Sequence, residues 1–281
     1  MDEKTIKELI QKGRDFLKSQ TAMEKEQTEG DYKTDQELKR PQPPLVKAPM
    51  TESRIDLPRN FESLKLEDSL LSLLLKRKSS RVYTQEDMSL LQLSFLLWAT
   101  QGVKGIRGKS YATLRTVPCG GARHPFETYL IVRQVEGLLP GVYHYLPMTH
   151  QLELLQAVEH RPELKDLLER SLCGQGWAAK ANVVFYWSFV PYRSEWRYGI
   201  YAHRMVMADV GHVGENLYLA CTALGLGTCG IGAYDQKLCD KTFQLDGEEE
   251  FTLYSQSVGT IQAKDESAEK AFYSFVEEQG L

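Results

Sequence analysis

Helix-like and strand-like segments follow one another through residues 55–261, and this mixture predicts a domain built from both helices and a sheet. Three observations carry that reading. Val206, Val210, Val213, Leu217, Ala220 and Leu224 recur at steps of three and four, the spacing of one buried helix face. The run Thr128–Gln134 is β-branched and aromatic, as a strand in a core should be. Val142-Tyr143-His144-Tyr145 and Leu152-Glu153-Leu154-Leu155 flank Pro147-Met148-Thr149, which reads as a hairpin.

In chain order, residues 1–50 form a separate zone. Ile6, Leu9, Ile10, Phe16 and Leu17 make one amphipathic helix, whose Phe16 face must cover either the body or a dimer partner. Polar residues from Thr21 to Arg40 follow. Pro41-Gln42-Pro43-Pro44 and Pro49 then make a stiff, extended arm. Residues 51–281 form the main domain, its core beginning near Ile55-Asp56-Leu57-Pro58. Helices are expected at Ser69–Arg77, Ser89–Ala99, Pro162–Ser171, Ala202–Leu224 and Gln236–Phe243. Strands are expected at Thr128–Gln134, Gly141–Leu146, Gln151–Leu155, Asn182–Phe189 and Phe251–Ile261.

The composition narrows the function. At 281 residues and 42% apolar content the chain can bury a sizeable core, and a net charge of -4 gives no reason to expect a nucleic-acid partner. The five cysteines form no C-x-x-C pair and fit a reducing compartment, hence a cytoplasmic protein. The charged start Met1-Asp2-Glu3-Lys4 has no apolar signal region behind it, and Leu70–Leu75 and Phe95–Ala99 are too short to span a bilayer, so no membrane partner is expected. The six histidines show no metal-ligand spacing, and no metal site is expected; His124, His203 and His212 read as packing or capping residues.

Three segments carry chemistry. In Thr116–Val132 a turn of small residues, Pro118-Cys119-Gly120-Gly121-Ala122, runs into Arg123-His124-Pro125 and then a strand; backbone amides there are open to a flat ligand, and Arg123 can meet an anion. Arg77-Lys78-Ser79-Ser80-Arg81 gathers the forked and short donors that a phosphate monoester needs; the alternative is a solvated basic helix end. Gly225, Gly227 and Gly230 spell G-x-G-x-x-G, but a helix precedes them where a dinucleotide fingerprint needs a strand, so they serve first as a helix stop. Cys229 to Tyr234 then form a short apolar edge able to face a ring system.

With Gly211-His212-Val213-Gly214-Glu215-Asn216-Leu217, these segments in this order resemble the nitroreductase superfamily of flavoproteins, and within it the SagB-type dehydrogenase branch that includes azoline oxidases. The resemblance spans residues 50–262. It implies an α+β fold, with a central mixed or antiparallel sheet flanked by helices, in an interlocked homodimer with FMN at the dimer interface. It implies that Arg77, Lys78, Ser79 and Arg81 hold the phosphate and ribityl end, that Pro118, Cys119, Gly120 and Arg123 reach the flavin from the partner chain, and that Gly230, Ile231 and Gly232 lie along the isoalloxazine. Three positions depart from the family pattern. Cys119 stands where Ser is usual, and a thiol is the weaker donor. Thr260 follows Gly259 where an Arg is frequent. Arg197-Tyr198 stands where azoline-oxidising members carry a Lys-Tyr pair that removes a ring proton; an Arg stays protonated and is a poor base, while Tyr198 can still donate or relay a proton. Without such roles, Arg197 would pair with Glu195 or sit at the surface, and Tyr198 would be a core aromatic.

The expected activity is that of an FMN-dependent oxidoreductase moving hydride through flavin N5, on a small-molecule or peptide-derived substrate, with NAD(P)H as a possible electron donor. Two alternatives stand beside it: a flavin-binding protein without turnover, and a subunit of a peptide-modifying complex.

Overall fold

The computed structural model describes residues 2–18, 32–262 and 267–278. Its centre is a seven-stranded sheet made from Arg54–Asp56 (β1), Phe126–Val132 (β4), Gly141–Leu146 (β5), Gln151–Ala157 (β6), Val183–Phe189 (β7), Leu226–Ile231 (β8) and Phe251–Thr260 (β9), in the order β1-β6-β5-β4-β7-β9-β8. Every neighbouring pair in it is antiparallel. Val103–Arg107 (β2) and Ala112–Arg115 (β3) form a separate hairpin. The expected pairing around Pro147–Thr149 is present: Tyr143 lies opposite Leu154 and Tyr145 opposite Leu152.

Alternation along the strands assigns each face. Phe185 and Trp187 of β7, with Leu130 and Val132 of β4, pack on Leu90–Gln101 (α3) and Ala202–Leu224 (α6) through Leu93, Leu97, Val213 and Leu217. Val184, Tyr186, Tyr129 and Ile131 point the other way, onto Arg161–Ser171 (α4) and Gln236–Thr242 (α7) through Leu164, Leu168, Cys239 and Phe243. β4, β5 and β7 are therefore apolar on both sides, which explains their near-continuous hydrophobic runs.

Local signals set the helix ends. Ser89 and Gln92 form a reciprocal capping box at the start of α3. α6 stops at Gly225, whose φ of +68° suits glycine and not a β-carbon. Leu70–Lys76 (α2) packs on α6 yet leaves Leu70, Leu71, Leu74 and Leu75 exposed by 56–77%. Glu3–Leu17 (α1) is the expected amphipathic helix, but none of its residues is buried and Phe16 is 51% exposed, so its apolar face is uncovered in the single chain. Most of the polar stretch expected to follow it lies outside the described residues.

The structure holds elements that the sequence reading did not give. Leu226–Ile231, read from the sequence as a helix stop running into a short apolar edge from Cys229, is the edge strand β8, because it pairs residue for residue with β9. Pro191–Tyr198 (α5) is a helix with Pro at its first turn and Gly199 at its end, too short for an apolar period to show. The short strand β1, the β2–β3 hairpin and Ser267–Glu278 (α8) are further additions. Among the described residues no helix is long and apolar enough to cross a membrane, and no group of three or more His, Cys, Asp or Glu is placed to hold a metal ion.

Candidate active site

The residues singled out in the sequence gather at two places along α6. Near its C-terminal end, Tyr218 is the hub. Its hydroxyl lies 3.0 Å from Ser79 Oγ and accepts the Gly230 amide at 2.8 Å, while the Arg77 guanidinium lies 5.3 Å from its ring centroid. The basic segment and the Gly-rich edge are thus brought together by a residue the sequence did not flag. A groove of about 510 Å³ opens beside them, lined by Arg77, Lys78, Ser80, Gly225, Leu226 and Ile261. Ile231 turns its side chain into the core, and Gly232 is exposed with open space where a β-carbon would stand. Arg81 is turned elsewhere: its guanidinium bonds the Tyr273 hydroxyl and lies over the rings of Trp177 and Tyr273, while Glu269 of α8 accepts the backbone amides of Arg81 and Val82 at 2.8 and 3.0 Å. Thr260 at the end of β9 bonds Thr84 and Asn182, a structural role that leaves no cation at that position.

The second cluster lies at the N-terminal half of α6. Asp209, 7% exposed, accepts the Gly120 amide at 3.0 and 3.2 Å and the Cys119 thiol at 3.2 Å, pinning the small-residue turn to the helix. Cys119 in turn accepts the His124 amide at 3.1 Å. Burial first, and then the Asp209 carboxylate, push the Cys119 thiol well above its ordinary value, so it stands as a neutral donor and not a thiolate. Burial, helped by the Arg115 charge, lowers His124 to about 3, which leaves its imidazole uncharged. Pro118 is exposed beside them.

Arg197 and Tyr198 stand at the same turn. A β-carbon on Gly121 would come within 2.5 Å of the Tyr198 hydroxyl and 2.6 Å of Arg197 Nε, and its φ of +56° independently favours glycine. Arg197 bonds the Tyr111 hydroxyl and lies over the Tyr198 ring; it does not pair with Glu195, which bonds His203 at 2.8 Å. Arg123, 3% exposed, donates from Nε to the Gly121 carbonyl at 3.1 Å and from Nη2 to the Tyr111 carbonyl at 2.7 Å. The arm closes this cluster. Gln36 bonds the Tyr111 hydroxyl at 3.0 Å and, through its amide, the Trp196 carbonyl at 2.8 Å, and a cavity of about 290 Å³ lies between Thr34, Gln36, Glu37 and the side of α5 bearing Arg197 and Tyr198. Asp209 and Tyr218, which anchor the two clusters, are separated by roughly 13 Å of helix axis at about 1.5 Å per residue.

The sequence profile of the Nitroreductase family matches residues 74–260, a span that holds both clusters except for the arm residues Thr34–Glu37. The chain belongs to the nitroreductase family. A Methanocaldococcus jannaschii protein named as a nitroreductase is 38% identical over 187 residues, 66% of this chain and 86% of that protein. The trifolitoxin-processing protein TfxB of Rhizobium leguminosarum is 30% identical over 138 residues, 47% of this chain but only 36% of TfxB. Among solved structures, a nitroreductase-like protein of Ralstonia eutropha superposes with a TM-score of 0.60 at 28% identity, over 79% of this chain and 94% of its own. A chain of the Escherichia coli microcin synthetase McbBCD complex shares the fold, with a TM-score of 0.57 over 93% of this chain and 95% of its own at 18% identity. These likenesses agree with the α+β, nitroreductase-like architecture expected from the motifs.

Within this nitroreductase-family chain, Tyr218, Asp209, Tyr111 and the Thr34–Glu37 part of the arm are the members that sequence reasoning missed. Asp209 left a trace: an acid adjoining the apolar stripe at Val206 and Val210 is out of place unless it has a buried partner. Tyr218 and Tyr111 carried no comparable signal, since their partners are far away in sequence.

Proposed function

We propose that the protein is a homodimeric FMN-dependent oxidoreductase. The observation that carries this reading is the Tyr218 hub: it brings together the Ser79 hydroxyl, the Arg77 guanidinium and the Gly230 amide, and Arg77 also lines the groove beside them. That donor set fits a phosphate-ended cofactor, and Gly232 at the far end of the glycine edge has open space beside it, whereas Gly230 lies against the Tyr254 side chain. Bound FMN supplies hydride acceptance and donation, chemistry that no side chain performs. Arg77, Lys78 and Ser79 hold its phosphate and ribityl end, and Gly230–Gly232 lie along its ring. Tyr198 holds a proton at the substrate, and Arg197 orients the substrate.

The Cys119–Arg123 turn sits at the other cluster, one stretch of α6 away. This separation supports a dimer in which the turn and Arg123 of one protomer complete the groove of its partner. The exposed leucines of α2 support the same arrangement, since they leave a helix face uncovered beside α6. Light scattering on the purified protein is expected to give a dimer mass; a monomer that still binds FMN would remove the shared-site part of the proposal.

The deciding experiment is an anaerobic titration of the FMN-loaded protein with NADH and with NADPH, followed at the flavin absorbance band. Rapid bleaching is expected. A flavin that stays oxidised would shift the reading to a dehydrogenase fed by its own organic substrate or to a flavin-binding protein without turnover, and a protein that binds no FMN would overturn it. A second reading, a subunit of a peptide-modifying complex, is favoured by the similarity to the toxin-processing protein TfxB. Co-purification with gene products encoded beside it, lost on removal of residues 1–40, is its test.

A further inference from the structure

We propose that Arg123 and Arg197 form a carboxylate-binding subsite, so that the substrate class is an organic molecule bearing a carboxylate. The inference rests on the oxidoreductase reading above for the meaning of the site, but its physical basis is independent of FMN. Two guanidiniums converge on the residues around Gly121. Arg123 lies 4.7 Å from the Tyr111 ring centroid and 5.4 Å from that of Trp196, and its two hydrogen bonds go to main-chain carbonyls, which fix it in place without neutralising it. Arg197 meets the hydroxyl of the same Tyr111 and lies 5.5 Å from the Tyr198 ring centroid.

Among the described residues, neither guanidinium has a carboxylate within 4.0 Å. The nearby acids are directed elsewhere. Glu195 bonds His203, Asp209 bonds Gly120 and Cys119, and Glu37 accepts the Thr34 amide and hydroxyl at 2.7 and 2.9 Å. Burial and the neighbouring Arg197 charge both work against the Arg123 cation. Two like charges held together at this depth are stabilised by an anion, and a planar carboxylate matches the forked donors of arginine. The cavity of about 290 Å³ beside Arg197 has Tyr198 and Tyr201 in its wall, is bordered by the arm at Thr34 and Gln36, and is open to solvent. A carboxylate at the arginines would leave the rest of an aromatic or aliphatic substrate among these side chains.

The test uses the full chain and two probes of equal shape, benzoate and benzamide. Binding is followed by the absorbance change of the loaded flavin and, separately, by the intrinsic tryptophan fluorescence of FMN-free protein, Trp196 lying beside Arg123. Benzoate is expected to bind about tenfold or more tighter than benzamide at low ionic strength, with the preference shrinking as salt is raised. Arg197→Gln is expected to abolish the preference and Arg197→Lys to retain part of it. Equal affinity of the two probes in the unaltered protein overturns the subsite, whatever the variants do; so does a preference that survives Arg197→Gln. A protein that binds no FMN but still prefers benzoate by fluorescence would remove the oxidoreductase reading and keep the subsite. A flavin bleached by nicotinamide with no benzoate preference would do the reverse.

Discussion

Gly121 shows how much of the candidate site depends on the absence of one methyl group. Its positive φ and the closeness of Arg197 and Tyr198 act in the same direction, so Gly121→Ala is expected to destabilise the fold by about 1–2 kcal/mol from backbone strain alone and to displace both side chains. Urea denaturation measures the first effect, and loss of benzoate affinity the second. A variant as stable as the parent would mean that the turn relaxes freely. Cys119 makes a second residue-level case. Its half-buried thiol is hydrogen-bonded to Asp209, whereas Cys173 is exposed. Titration of native protein with a thiol reagent is therefore expected to label Cys173 quickly and Cys119 only slowly, with Asp209→Asn accelerating the Cys119 reaction by removing the negative charge beside it. Fast labelling of Cys119 in the unaltered protein would contradict the hydrogen-bonded neutral thiol.

The long helix α6 divides the work of its glycines. A β-carbon at Gly214 would sit 3.2 Å from Tyr254 Cε1 and 3.5 Å from Gln256 Oε1, so this glycine allows the helix to lie on β9 within one chain. Gly211 meets nothing within 4 Å and faces outward. Gly214→Val is expected to cost about 1–3 kcal/mol by overpacking, whereas Gly211→Ala should leave thermal unfolding unchanged or raise it, since alanine is the better helix former by about 1 kcal/mol. Equal losses at both positions would place Gly211 in contact with something outside the single chain. The apolar stripe of α6 was legible in the sequence because one period runs the length of the helix. The separate duties of Gly211 and Gly214 were not, because that distinction depends on which turn of the helix meets β9. The strand character of Leu226–Ile231 was hidden for a related reason: its glycines are poor strand formers alone, and only pairing with β9 makes them one.

Across the whole molecule, a buried polar network ties the arm to the sheet. His144 lies between Glu153 at 2.7 Å and Glu127 at 3.4 Å, and Arg193 bonds Glu127 at 2.5 Å. The arm enters through the Lys47 amide on Glu127, Lys47 Nζ on Glu250, and the Met50 and Thr51 amides on Glu153. Burial alone would depress the His144 imidazolium, but hydrogen bonds and charges from Glu127 and Glu153 outweigh it and raise the histidine above its ordinary value. A raised native value means that the imidazolium stabilises the fold fully below about pH 6.5 and that this stabilisation is lost as pH rises through the native value. Urea midpoints are therefore expected to be higher at pH 6 than at pH 9. His144→Gln should shrink that difference while lowering stability at pH 6, and an unchanged difference in the variant would show that His144 is not the group responsible.

The sequence by itself determined the alternation of helix and strand, the hairpin at Pro147–Thr149, the helix stop at Gly225 and the three segments that mark the family, because each depends on a local period, a turn or a motif read over a few residues. Only the tertiary structure decided that Tyr218 joins Ser79 to Gly230, that Asp209 holds the Cys119 turn, that Arg81 turns toward α8, and that Arg123 and Arg197 meet around Gly121. Those contacts join residues far apart in sequence, and pairings over such distances are fixed by strand register and helix packing, which no local pattern records.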